Sequence, residues 1–95
     1  MREAEDRAVV EINSRFRRLT ESRALLNVAQ LAQGAAREKL RVKTNQYQVR
    51  SALLSDVLNL RAELADSNDG YQQALLAFWT AKADFDLAVG EEVIQ

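Results

Sequence analysis

Apolar residues recur every seven positions along both halves of this 95-residue chain. In the first half the series runs through Ile12, Leu19, Leu26, Gln33, Leu40 and Tyr47, of which only Gln33 is polar. In the second half it runs through Val57, Leu64, Tyr71, Phe78 and Phe85. A period of seven is typical of helices that pack as coiled coils. Because the chain has no proline and only three glycines, little interrupts a helical interpretation.

The two series match one another if the chain reverses direction near residue 52. Residues whose numbers add to 104 then pair, such as Leu26 with Phe78, and Gly34 meets Gly70. The charge changes at the same place: residues 1–50 carry eleven basic and six acidic side chains, whereas the remainder carries two and eight. We therefore predict an all-α, long antiparallel two-helix coiled-coil hairpin, with a basic helix beside an acidic one.

The predicted hairpin is a single domain covering residues 1–95. Helix 1 is expected at about 3–48, the tip at about 49–54 and helix 2 at about 55–91. Gly90 is the expected end of helix 2, since glycine commonly terminates helices.

The tip contains no glycine, proline or asparagine that would force a reversal of the chain. Ser51 or Ser55 is expected to cap the second helix, because serine side chains satisfy free N–H groups at helix starts. Asp56 then lies in the first turn, where a carboxylate is favoured by the helix dipole.

The composition lacks the residues that most often perform catalysis or bind metals. Histidine and cysteine are both absent. Asp84 and Asp86 are two residues apart, so on a helix they point in different directions. The sequence therefore predicts a protein that is not an enzyme and has no metal site or cofactor.

A basic cluster in the first half raises the question of nucleic acid. Its members are Arg15, Arg17, Arg18 and Arg23. The residues expected opposite this cluster are Lys82, Asp84, Asp86, Glu91 and Glu92. Because most of these are acidic and the whole chain has a net charge of −1, no nucleic-acid partner is predicted.

Several large apolar residues lie outside the two series. They are Leu25, Val28, Leu31, Val42, Leu54, Leu58, Leu75, Leu76 and Trp79. A two-helix hairpin has one internal packing surface, so many of these side chains are expected to face solvent. Exposed apolar patches indicate a partner interface, and the isolated chain is therefore expected to self-associate.

The residues around the predicted tip resemble the TolC-like outer-membrane efflux family. The second periplasmic tip of that family commonly reads Tyr-x-x-Gly, five residues, then Asp-Val-Leu. This chain has Tyr47, Arg50 at the glycine position, and Asp56 followed by Val57 and Leu58. Residues 81–90 also resemble the closing helix of the family, and the pattern covers roughly residues 5–92.

The resemblance implies that the chain is the C-terminal periplasmic hairpin of a larger protein. Such proteins are homotrimers, with a β-barrel in the outer membrane of a Gram-negative bacterium and a helical tunnel in the periplasm. The hairpin would form part of the tunnel wall. Its tip would dock a periplasmic adaptor (membrane fusion) protein and, through it, an inner-membrane transporter.

The resemblance also implies roles for residues of the tip. The candidates for the tunnel constriction are Tyr47, Asp56 and Asn59. The candidates for adaptor docking are Val49, Arg50, Ser51, Ala52 and Leu53. In the family a tyrosine contacts an arginine that corresponds to Ala52, and Arg50 is the available substitute.

Each of these residues also has a purely structural interpretation. Asp56 can simply complement the helix dipole, Tyr47 can pack between the helices, and Arg50 can be a solubilising charge. For the whole chain, the alternative to an efflux channel is a generic coiled-coil interaction or spacer module.

Overall fold

The computed structural model describes residues 2–94, and the side chains of residues 2–90. Helix α1 spans Arg2–Gln48 and helix α2 spans Leu54–Ile94. The helices run antiparallel and pack against one another, which confirms the predicted all-α hairpin. Helix α2 continues through Gly90, so the predicted end at this glycine is wrong. No proline follows to stop the helix, and a glycine within a helix weakens it without necessarily ending it.

The chain forms two compact units, each containing a segment of both helices. The turn unit comprises residues 27–73. The terminal unit comprises the described residues among 1–26 and 74–95. Both units have the same internal plan, in which one face of α1 packs against one face of α2.

The least exposed residues of the turn unit include members of the predicted seven-residue series and Ala36, which lies outside it. On α1 they include Gln33, Ala36 and Leu40, and on α2 they include Val57 and Leu64. Ala36 and Val57 are each only 3% exposed. The small side chain of Ala36 is almost completely covered where the two helices pack.

In the terminal unit the same periodicity marks the contact between the helices. Ile12, Leu19 and Leu26 are partly buried on α1, and Phe78 and Phe85 are partly buried on α2. The rings of Phe16 and Phe85 lie 5.6 Å apart in a tilted arrangement, which is a favourable aromatic geometry. The contact surface between the helices within each unit is called the seam below.

Cross-helix contacts define where the chain reverses. In the turn unit, Nε2 of Gln33 donates a hydrogen bond to Oδ1 of Asn68 at 2.6 Å, and Nζ of Lys39 lies 3.3 Å from Oε1 of Glu63. The residue numbers of these pairs add to 101 and 102, rather than the predicted 104. The segment between Gln48 and Leu54 is centred on residue 51, so the reversal falls about one residue earlier than expected.

Two sequence predictions about the seam are wrong in detail. Tyr47 is 41% exposed and does not complete the α1 series. Gly34 and Gly70 do not mark a close approach of the helices, since a Cβ atom built on either glycine has no neighbour within 4 Å. Both glycines are exposed. Residue numbers that add to a common value do not determine which way each position faces on its helix.

Replacing these glycines by alanine should stabilise the hairpin. Glycine in a helix is less favourable than alanine by about 0.5–1 kcal/mol, and both sites have room for a methyl group. We expect Gly34→Ala and Gly70→Ala each to raise the free energy of unfolding by that amount in chemical denaturation at fixed protein concentration. Ala62→Gly, at an exposed position of α2, should lower it comparably. A loss of stability in either glycine variant would show that the site is crowded.

Candidate functional site

Helix α1 ends in a defined hydrogen-bonded turn. The backbone N–H of Ser51 donates to the carbonyl of Gln46 at 2.7 Å, and the N–H of Arg50 donates to the carbonyl of Tyr47 at 3.0 Å. These two bonds form a Schellman motif, the arrangement that satisfies the last carbonyls of many helices. The Ser51 hydroxyl also donates to the Gln46 carbonyl, at 3.1 Å. Ser51 therefore caps the end of α1 and not the start of α2.

Arg50 adopts a left-handed backbone conformation, with φ of 64°. The Schellman motif requires this conformation at the position that Arg50 occupies, and glycine usually fills it because glycine has no Cβ. A left-handed conformation costs about 1–2 kcal/mol for a residue with a side chain. The reversal at the tip therefore requires Arg50 to adopt a backbone conformation that is unfavourable for a residue with a side chain.

Helix α2 begins with a cap supplied by Asp56. Its Oδ2 accepts a hydrogen bond from the backbone N–H of Leu53 at 3.2 Å. The carboxylate reaches back from the first turn to the residue before the helix, as the acidic residue of a capping box does. The predicted capping role of Ser51 or Ser55 is therefore wrong, whereas the expected position of Asp56 in the first turn is correct.

The tip exposes apolar side chains to solvent. Val49 is 74% exposed and Leu53 is 68% exposed, while Ala52 between them is partly buried. Of the predicted constriction residues, Asp56 is partly buried, and Tyr47 and Asn59 are exposed. Tyr47 and Arg50 meet through their backbones in the helix cap. These positions do not test the predicted pore and docking roles, which stay predictions.

The turn unit contains a groove that was not predicted from the sequence. It has a volume of about 550 Å³ and is lined by Ala35, Glu38, Lys39, Val42, Lys43, Gln46 and Leu60. Its α1 positions 35, 39, 42 and 46 are separated by four, three and four residues, the spacing of a second coiled-coil surface. That spacing is visible in the sequence but is obscured because Lys39 and Gln46 interrupt it.

Of the three charged side chains that line the groove, Glu38 and Lys39 form ion pairs and Lys43 forms none within the described residues. Glu38 lies 2.5 Å from Arg41, and the hydrogen bond and charge of that guanidinium lower the pKa of the Glu38 carboxyl below its ordinary value. Lys39 is paired with Glu63 across the helices at 3.3 Å. Within the described residues, no carboxylate lies within 4 Å of the Lys43 ammonium. Exposed pairs such as these contribute little to stability.

The terminal unit has an exposed aromatic site on α2. The Trp79 ring is 54% exposed, meets Phe78 edge-on at 5.5 Å and carries the Lys82 ammonium 5.2 Å from its centre. A cation over a tryptophan face is attracted to the ring. Leu76 and Leu87 are also mainly exposed.

Among the described side chains, no ion pair joins the predicted basic cluster to α2. Among the described side chains, Arg15 pairs with Glu11 on its own helix, at 3.3 Å. The predicted opposing residues Glu91 and Glu92 lie outside the described side chains.

Neither a membrane span nor a metal cluster is found in the part of the chain that the structure describes. Over residues 2–94, the two helices lack a segment that is both long and apolar enough to cross a membrane. No group of three or more potential ligand side chains there could hold a metal ion.

Substituting Arg50 tests the strain at the tip. Arg50→Gly should raise the free energy of unfolding by about 1 kcal/mol, because glycine adopts the left-handed conformation without a Cβ clash but is more flexible when unfolded. Chemical denaturation checks the change. Arg50→Ala, which keeps the Cβ and removes the charge, should leave stability nearly unchanged. Equal stabilisation by both variants would assign the effect to charge rather than to backbone conformation.

No known protein family, curated protein or solved structure matches this chain.

Proposed function

We propose that the chain is a tunnel-wall hairpin of a trimeric, TolC-like outer-membrane efflux channel. In this role it lies in the periplasm of a Gram-negative bacterium and belongs to a tripartite export system. Its tip docks a periplasmic adaptor protein and, through it, an inner-membrane transporter. The proposed role is structural and transport-related and includes no catalytic step or cofactor.

The observation that carries the proposal is the conformation of Arg50. The resemblance aligns this residue with a glycine of the family tip, and Arg50 has the left-handed φ of 64° that glycine adopts readily. The alignment rested on sequence spacing alone, whereas the dihedral angle is an independent property of the backbone. A reversal that demands a left-handed residue at this position supports a family-type tip.

The exposed side chains of the tip support a docking role. Val49 and Leu53 present apolar surface on either side of the reversal, and the large majority of each residue is accessible. An apolar patch at the end of a helical hairpin is suited to contact with another protein. The proposed adaptor-docking residues are Val49, Arg50, Ser51, Ala52 and Leu53.

Asp56 has two separable roles under this proposal. Its carboxylate accepts a hydrogen bond at the start of α2, and three copies in a trimer would place three charges around the tunnel axis. Asp56→Asn removes the charge but keeps an oxygen that can accept from Leu53. In planar bilayers, the full-length channel with Asp56→Asn should lose cation preference while its thermal stability changes little.

A matched set of variants distinguishes the pore role from the cap. Asp56→Ala should lower both cation preference and stability, the latter by about 0.3–1 kcal/mol, because it also removes the carboxylate that caps the start of α2. Asn59→Ala should alter selectivity much less, since Asn59 carries no charge. Unchanged selectivity in Asp56→Asn would leave Asp56 as a helix-capping residue only.

The alternative function is a generic coiled-coil interaction or spacer module. It is favoured by the groove and the exposed apolar residues away from the tip, which suit helix packing of any kind. The complete reading frame separates the alternatives. An export signal, a second helical hairpin and strands of alternating polarity support the efflux channel, whereas their absence from the complete frame would support the spacer.

A further inference from the structure

The groove of the turn unit has the form of a helix-binding surface. Ala35, Lys39, Val42 and Gln46 follow one side of α1 at coiled-coil spacing, and Leu60 of α2 contributes the opposite side. A partner helix laid along such a surface inserts side chains between residues spaced by three and four. Val42 is 39% exposed, so apolar area is available for this contact.

The unpaired charge of the groove favours an acidic occupant. Lys39 and Lys43 line it, but Lys39 is paired with Glu63, and its one carboxylate, Glu38, is held by Arg41. Lys43 has no ion-pair partner among the described residues. An acidic amphipathic helix would place a carboxylate near the Lys43 ammonium, and such complementarity helps to fix the orientation of a complex.

Helix α2 of this chain has the required character. Residues 51–95 carry eight acidic and two basic side chains. Asp66 and Asp69 are exposed and make no ion pair within the described part of the chain. Leu58 and Leu76 on the same helix are more than half exposed. We propose that the groove of one copy binds helix α2 of a second copy, in a four-helix dimer.

The exposed area is sufficient for this dimer. The chain exposes 7503 Å², whereas a folded monomer of 10.7 kDa is expected to expose about 5,500 Å². A stable complex buries about 800 Å² on each partner. A symmetric dimer uses two equivalent contacts, each between one groove and one α2. This inference goes beyond the efflux proposal and does not depend on it.

Reciprocal charge reversal tests the proposed contact. Sedimentation equilibrium of the wild-type chain should give a dimer at micromolar concentration. Lys43→Glu should weaken the dimer by at least about tenfold, and the double variant Asp66→Lys, Asp69→Lys should do the same. Arg37→Glu makes the same charge change on an exposed residue of α1 outside the groove and should leave the dissociation constant within about threefold of wild type.

Mixing the two weakened proteins provides the decisive measurement. Each groove of the mixed dimer faces an α2 of opposite charge, so the mixture should associate at least about tenfold more tightly than either variant alone. Circular dichroism should show that all variants remain helical. A wild-type chain that is still monomeric at about 100 µM would overturn the proposal. That concentration is roughly ten times the micromolar concentrations at which the dimer is expected to form. Equal weakening by Lys43→Glu and Arg37→Glu, or no recovery on mixing, would also overturn it.

Discussion

A pair of helices can bury only one stripe of side chains on each helix, and this limit governs the rest of the molecule. Among the side chains of residues 2–90, the two that are almost completely buried, Ala36 and Val57, both belong to that stripe. The other large apolar side chains of residues 2–90 all retain some accessible surface. Burial of apolar area is the main favourable contribution to folding, so a chain with this architecture gains further stability when other helices cover its remaining apolar side chains.

Among the described side chains, the opposite net charges of the two halves produce few ion pairs between the helices. Within the described residues, one ion pair, Lys39–Glu63, joins the helices, while Arg15–Glu11 and Arg41–Glu38 lie within α1. The charge difference therefore adds little to the stability of the hairpin itself. Most charged groups stay available to orient a second molecule, because complementary surface charges influence specificity and association rate more than affinity.

The seven-residue spacing was sufficient to predict both helices, their antiparallel packing and the stripe that forms the seam. Periodicity succeeds because the least exposed side chains of each helix lie on one face. The tip was less predictable, since the left-handed residue is Arg50 and not a glycine, and the cap comes from Asp56 inside the helix. The pairing of Gly34 with Gly70 failed because residue numbers give height along the hairpin without giving rotation about each helix axis.

The two candidate sites, the tip and the groove, differ in how much of each could be predicted from the sequence. The tip was located from the matching of the two seven-residue series about residue 52 and from the change of charge there, although its hydrogen bonds required the structure. The groove was missed because two polar residues, Lys39 and Gln46, stand in its apolar series. Their aliphatic stems can cover apolar surface while their polar ends remain in water, so such positions escape a simple hydrophobic pattern.

The Schellman motif at the tip also bears on how the chain folds. Lys39 and Glu63 are 24 residues apart in sequence, Gln33 and Asn68 are 35 apart, and Phe16 and Phe85 are farther apart still. The loop that must close before a contact forms therefore lengthens with distance from the tip, and its entropic penalty rises with it. Once the tip is in place, each new layer adds only a short extension to the ordered chain. The hairpin should accordingly assemble as a zipper that starts at Arg50 and advances toward the chain ends, so that the tip conformation sets the rate of the earliest step.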